Sequence, residues 1–286
     1  AKDKGFYDAE GLDVTIKPGG PDIAPAQVLA GGGADVMVDW MPSALAAREK
    51  GLPLVNIAQP FKSSGMMLTC RKDMGVNSTD DLKGKTLGVW FYGNEYPFLS
   101  WMSRLGLATD GSANGVTVLK QGWGVEPLTE GQAACVSTMS YNEYWVVRDA
   151  GYTPEQLTVF KYQAEGASTL EDGLYVLEKN LGDDSFKDKM VRFVRASMKG
   201  WKYAEANPKE AASIILDNDD AGVQTEKHQI RMMGEIAKLT AGSNGSLDPS
   251  DYERTVKVLM SGASDPVITK EPSGAWTHDI TNAALN

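Results

Sequence analysis

The chain has 286 residues, 42% of them hydrophobic, enough for one large domain or two of ordinary size around a well-buried core. Its formal net charge of -10, with 28 Lys and Arg against 38 Asp and Glu, argues against electrostatic binding to nucleic acid or to an anionic membrane surface. No run of about 18 apolar residues occurs, so no segment reads as a membrane-spanning helix.

The chain opens in what reads as the tail of a helix, so it is expected to be a mature or trimmed sequence. Leu12, Val14 and Ile16 alternate with Asp13, Thr15 and Lys17, the period of a strand, and Pro18 to Pro21 stop it. A Gly/Pro-rich loop then runs into a helix carrying Gln27, and a second strand ends at Asp39 and Trp40. A loop at the C-terminal end of a strand leading straight into a helix offers free backbone N-H groups and the positive end of a helix dipole. In open α/β sheets that edge is the usual ligand crevice. Asp22 in the loop reads first as the cap of the following helix and second as a ligand contact. Trp40, beside Asp39, reads as a wall on which a flat ligand stacks, against the alternative of a lid on the core.

PSALAAREKG is a helix with Pro42 in its first turn and Gly51 as its stop, and PLVNIAQPF and GMMLTC are strands. Strand and helix alternate over the first 70 residues, which predicts largely parallel sheets. TLGVWF is a buried strand, and the loop after it, GNEYPF, leads into a helix with Phe98, Trp101, Met102 and Leu105 at helical spacing. Tyr92, Gly93, Asn94 and Tyr96 in this loop combine aromatic faces with a polar group, as a flat heterocycle requires. The competing account makes Asn94 a helix cap and Pro97 a first-turn residue. A third loop, SYNEYW, follows the strand ACVSTM and places Tyr141 and Glu143 at the same edge. A partly desolvated Glu143 needs partners, which an aminopyrimidine or a basic residue of the protein could equally supply.

From Leu174 one more strand, GLYVLE, is followed by a helical C-terminal third. GMMLTC and GLYVLE bracket residues 75-172, which are expected to form an inserted lobe II, with lobe I made of 1-74 and 173-286 and hinges near 70-75 and 172-176. Glu171 and Asp172 read as a solvated acidic turn, and Cys70 and Cys135 read first as two buried free thiols and second as a disulfide. Catalytic and metal constellations are missing: no CxxC, HExxH, P-loop, GxSxG or GxGxxG is present. His228 and His278, the only histidines, fall in the helical third and read as surface residues.

The segments KGFYDAEGLDVTIKPGGPDIAPAQVLAGGGADV, GVWFYGNEYPFLSWMSRLGL and QAACVSTMSYNEYW resemble the periplasmic binding proteins of the thiamine-pyrimidine type. That branch belongs to a superfamily with nitrate, sulfonate and taurine binding proteins and the fungal pyrimidine synthase. The resemblance covers roughly residues 1-176. It implies an α/β, two-lobed type II periplasmic binding protein fold, each lobe a mainly parallel sheet flanked by helices. It also implies a monomeric solute-binding protein, periplasmic or extracellular and open to a lipid anchor, that delivers a small-molecule ligand to ABC importer membrane subunits. Members of the branch hold a formylaminopyrimidine or hydroxymethylpyrimidine between aromatic rings while a carboxylate reads the ring amine. Carried over, that carboxylate is Glu143, and Trp40, Tyr92, Asn94 and Tyr96 match motif positions near the cleft. Two departures stand out: the usual first strand is absent before Ala1, and the cysteine cluster and paired histidine of the fungal synthase are lacking. No cofactor is expected. The rival functions are binding of riboflavin, binding of a sulfonate-, taurine- or nitrate-type anion, a pyrimidine-forming enzyme carrying pyridoxal phosphate on Lys62, and a ligand-free sensory or scaffold module.

Overall fold

A computed structural model describes residues 1-20, 22-261 and 266-285. In chain order the elements are α1 (Phe6–Ala9), α2 (Pro25–Ala30), β1 (Met37–Asp39), α3 (Met41–Glu49), β2 (Leu54–Ala58) and β3 (Met66–Arg71). Then come β4 (Thr86–Val89), α4 (Tyr96–Arg104), β5 (Thr117–Lys120), α5 (Glu126–Thr129), β6 (Cys135–Met139), α6 (Glu143–Asp149) and β7 (Leu157–Lys161). Last are β8 (Gly173–Leu177), α7 (Asp184–Ala206), α8 (Pro208–Asp217), α9 (Glu226–Thr240), α10 (Pro249–Met260) and α11 (Asp279–Leu285). No helix among the described residues is long and apolar enough to cross a membrane.

The strands form two sheets, β1-β8-β2 and β5-β4-β6-β3-β7, each the centre of one lobe. The α/β two-lobed architecture is the expected one, but the largely parallel pairing is not. Both pairings of the smaller sheet are antiparallel, and in the larger one β3 runs antiparallel to β6 and β7 while β4 runs parallel to β5 and β6. The reason is the double crossing of the chain: β3 and β8 each enter a sheet from the other lobe and run against the strands already there. Because β3 itself belongs to the larger sheet, the first crossing lies at 59-65, ahead of the 70-75 expected for a hinge. The second lies at 167-172, leading into β8.

Leu12 to Lys17, expected as a strand, form no regular element and pair with no described strand. Alternation alone does not make a strand; its N-H and C=O groups need a neighbour at ladder spacing. Here a groove of about 950 Å³ separates the segment from the outer edge of β1, lined on the far side by Phe186, Met190, Phe193 and Trp201.

Helix ends follow local chemistry. Asp183, Thr225 and Asp248 each accept a backbone N-H in the first turn of α7, α9 and α10, and Gly51, at φ 95, ends α3 in a conformation that suits only glycine. The larger lobe packs Trp101 edge-on against Tyr162, centroids 5.2 Å apart, over Phe98, Leu87 and Val89. Two further clusters cover the faces of the smaller sheet, one around Met41, Leu45, Tyr175 and Leu259, the other around Ile57, Val176, Val194 and Ile280. The C-terminal helices supply Leu259, Val194 and Ile280, so the helical third is the casing of the smaller sheet.

Cys70 and Cys135 are not free thiols but a disulfide. The antiparallel register of β3 and β6 sets the two residues opposite each other, a proximity that depends on pairing across 65 residues of chain.

Candidate functional site

The C-terminal ends of β1, β4 and β6 meet along the seam between the lobes, and each leads into the N-terminus of a helix: α3, α4 or α6. β1 brings Asp39. Its Oδ1 accepts the Trp40 N-H at 2.7 Å and its Oδ2 the Ser43 hydroxyl at 2.8 Å, so the carboxylate satisfies the opening turn of α3. Burial, opposed by those two bonds, pushes its carboxyl up to about 7. Trp40 rises from the smaller sheet but is buried in the core cluster of the larger lobe, with Tyr141 packed on the same cluster.

Glu171 and Asp172, expected as a solvated turn, are the most consequential correction. Glu171 is 1% exposed. Its Oε1 accepts from Ser64 Oγ at 2.5 Å and Met66 N at 3.3 Å, and its Oε2 from Gly65 N at 2.8 Å, so a residue of the second crossing holds two groups of the first and the opening amide of β3. Gln59 Nε2 donates to the Glu171 and Phe61 carbonyls, and Asn56 Nδ2 donates to Gln59 Oε1 at 3.0 Å. A Cβ on Gly173 would sit 2.5 Å from Asn56 Nδ2, so only glycine lets the crossings lie this close. Asp172 adopts φ 39, left-handed for a residue with a side chain, and the Trp40 side chain beside it opposes the rise of its carboxyl. Burial raises Glu171 to about 8 and Asp172 to about 6. The polarity of the sequence ED hid this; burial here is a consequence of chain crossing, which local composition does not report.

Glu143 is buried, as expected of a carboxylate following an apolar strand, and burial raises its carboxyl. Its Oε2 accepts the Met139 N-H and its Oε1 the Asn142 Nδ2-H, both at 2.8 Å, so its first partners come from its own turn. Tyr141 meets Phe61 edge-on at 6.3 Å, and burial together with the charges of Asp172, Glu171 and Glu143 pushes its hydroxyl well above the usual range.

The GNEYPF loop packs directly on the smaller lobe. Gly93 has φ 109, and a Cβ there would lie 2.4 Å from Ser43 Cβ. Glu95, not Asn94, holds the position before α4, and it accepts the Gly93 N-H at 2.7 Å; Pro97 is in the first turn as expected. Tyr96 packs against the smaller lobe's core. Tyr92 is exposed at φ 62 beneath Lys120, whose Nζ is 5.1 Å from the ring centroid and 2.8 Å from Asp22 Oδ1. Asp22 therefore does not cap α2, whose preceding residue is Ala24 without a side-chain bond; it pairs with a lysine from the other lobe. Lys120 ends β5, so nothing in the sequence of the strand-end loops signals it.

Along the seam the structure thus brings together Asp39, Trp40, Tyr141, Glu143 and Asp172 at the inner end. At the outer end Tyr92, Gly93 and Tyr96 line a cavity of about 540 Å³ together with Ser43, Gln27 and Lys120, and Lys120 in turn pairs with Asp22. No Lys or Arg bonds any of the inner carboxylates among the described residues. Lys62 donates to the Ser246 carbonyl. His228, expected on the surface away from the loops, lies 2.8 Å from Asn142 Oδ1, and half-buried His278 lies 2.8 Å from the Leu247 carbonyl against the Trp276 ring.

A family model described as NMT1/THI5 like matches residues 1–211. The chain belongs to the NMT1/THI5-like family. Among its relatives, the formylaminopyrimidine-binding protein of Halalkalibacterium halodurans is 24% identical over 266 residues, covering 91% of this chain and 78% of the relative. A solved structure from Bordetella bronchiseptica RB50 superposes with a TM-score of 0.74 at 21% identity, over 99% of this chain and 90% of that one. The ligand-binding component of an ABC-type import system from Staphylococcus aureus superposes at 0.57 and 12% identity, over 82% of this chain and 75% of that one. This NMT1/THI5-like chain has the two-lobed periplasmic binding protein fold.

Proposed function

We propose that this chain is the solute-binding component of an ABC importer, and that it captures a small aromatic pyrimidine of the thiamine-precursor type by closing its lobes around it, without making or breaking bonds. The observation that carries the ligand class is the inner seam: Asp39, Glu143 and Asp172 lie among aromatic rings with no cation bonded to them. A buried carboxylate needs donors. An aminopyrimidine brings N-H groups on a flat ring that the Trp40 and Tyr141 faces can hold, whereas a sulfonate or nitrate would add negative charge to an acidic site. The name of the Halalkalibacterium relative points the same way, and the Staphylococcus structure supports the importer context. Trp40, Asp39, Tyr141 and Glu143 are the contacts assigned to the ring, with Gly93, Asn94, Tyr96, Tyr92 and Asp22 forming the outer rim. The protein works as a monomer in the periplasm. The engagement of Lys62 with a backbone carbonyl leaves the pyridoxal phosphate route without support.

A thermal-shift and calorimetric panel of formylaminopyrimidine, hydroxymethylpyrimidine, riboflavin, taurine and nitrate tests this. A pyrimidine present at a hundredfold excess over its Kd should stabilise the protein by about 2.7 kcal/mol, several degrees in Tm. Stabilisation by an anion and by no pyrimidine would overturn the ligand class.

A further inference from the structure

By chain order α9 belongs with the smaller lobe, because it follows β8 and the long helix α7. Its contacts divide. At its C-terminal end the Leu239 carbonyl accepts the Lys62 N-H at 2.8 Å on the first crossing, and the Thr240 hydroxyl donates to Glu205 of α7. A Cβ on Gly65 of the same crossing would lie 2.8 Å from Leu239 Cδ1, so the helix is seated tightly there.

At its N-terminal end the same helix grips the larger lobe. Arg231 Nη1 is 3.0 Å from Asp149 Oδ2 at the end of α6, and its guanidinium lies 4.7 Å from the centroid of Trp145 in the middle of that helix. Trp145 in turn donates to the Ser140 carbonyl of the strand-end loop at 3.0 Å. One helical turn before Arg231, His228 Nε2 is 2.8 Å from Asn142 Oδ1. Asn142 spends its Nδ2-H on Glu143 Oε1, so its Oδ1 is the atom left for His228, and the imidazole must present an N-H there. The Glu143 carboxylate is thereby fixed from two sides, by the Met139 N-H and by an amide whose orientation His228 sets. Fifteen residues of helix span about 22 Å, enough to reach from the crossing to α6 as one rigid piece.

We propose that α9 is a strap that holds the lobes closed, and that His228 is a positioning residue which, through Asn142, sets the Glu143 carboxylate for the ligand. The positioning half rests on the reading of the inner seam as the ligand cleft; the strap half does not. Opening the lobes about the crossings would pull α6 away from the N-terminal half of α9 and break the His228, Arg231-Asp149 and Arg231-Trp145 contacts together.

The test uses the full chain with its disulfide intact, in two measurements. Spin labels on Lys83→Cys and Lys179→Cys, one exposed site in each lobe, report the distance between lobes with and without formylaminopyrimidine. Stopped-flow kinetics with the same compound separate association from dissociation. His228→Leu and Arg231→Met should each shift the distance distribution toward the open form and raise koff about three- to tenfold while kon stays within about twofold. His228→Gln, which keeps an N-H donor for Asn142, should recover most of the wild-type koff; Arg231→Met and His228→Gln carry the test if His228→Leu fails to fold. Unchanged distances and unchanged koff in both disrupting variants overturn the strap. Equal koff for His228→Gln and His228→Leu overturns the positioning role. If formylaminopyrimidine does not bind the wild type but the ligand-free distances still shift, the strap stands and the proposed ligand falls.

Discussion

Glu171→Gln offers the sharpest check on the seam, because its effect is read in the pH dependence of stability without any ligand. The carboxyl rises from its ordinary 4.5 to about 8 through burial, which outweighs the donors Ser64, Gly65 and Met66. An acid whose folded pKa lies above its unfolded one holds its proton longer in the folded state. Between pH 4.5 and 8 the folded chain therefore binds more protons, and stability falls as pH rises. At about 1.4 kcal/mol per pH unit for a fully linked proton, the loss from this one group between pH 5 and pH 8.5 is about 4 kcal/mol. Glutamine imitates the protonated acid: its oxygen can take the Gly65 N-H while its amide donates to the Ser64 hydroxyl. Urea unfolding of both proteins at the two pH values, followed by tryptophan fluorescence, should show the wild type losing about 4 kcal/mol more than Glu171→Gln. A difference in that loss below about 1 kcal/mol would mean that Glu171 is not buried as described, and the account of the two crossings would fail with it.

Removing the disulfide with Cys70→Ala and Cys135→Ala frees a chain segment of 65 residues and should lower unfolding free energy by about 4 kcal/mol on the chain-entropy account; equal denaturation midpoints for the oxidised and cysteine-free proteins would refute a formed bridge. Gly93→Ala puts a Cβ against Ser43 at a φ that disfavours it, so calorimetry should record at least about a tenfold weaker pyrimidine affinity, and unchanged affinity would show that the lobes need not approach so closely. Asp39, at about 7, and Asp172, at about 6, accept ligand N-H groups far more strongly when ionised, so pyrimidine binding should release protons near neutral pH and weaken about tenfold or more from pH 8 to pH 5. Asp39→Asn should flatten that profile; a titration in which it leaves the slope untouched would remove Asp39 from the site.

Much of the proposed site is legible as loops at strand ends. Asp39, Trp40, Gly93, Tyr96, Tyr141 and Glu143 all fall on the seam because the strand-loop-helix order places a loop at the sheet's C-terminal edge wherever it occurs. Their partners were not legible. Lys120 reaches Asp22 from a strand, His228 reaches Asn142 from a helix far along the chain, and Ser64 meets Glu171 only because two crossings run side by side.

By itself the sequence determined the alternation of elements after the first loop, the apolar helix faces, first-turn prolines and stops such as Pro42, Pro97 and Gly51, and the acidic balance, since each depends on neighbours within a few residues. Tertiary structure alone decided strand direction, the pairing of Cys70 with Cys135, the failure of Leu12 to Lys17 to join a sheet, and the burial of Glu171. Those depend on which distant segment lies alongside, and a pattern of period two or 3.6 carries the face a residue presents but not the partner that covers it.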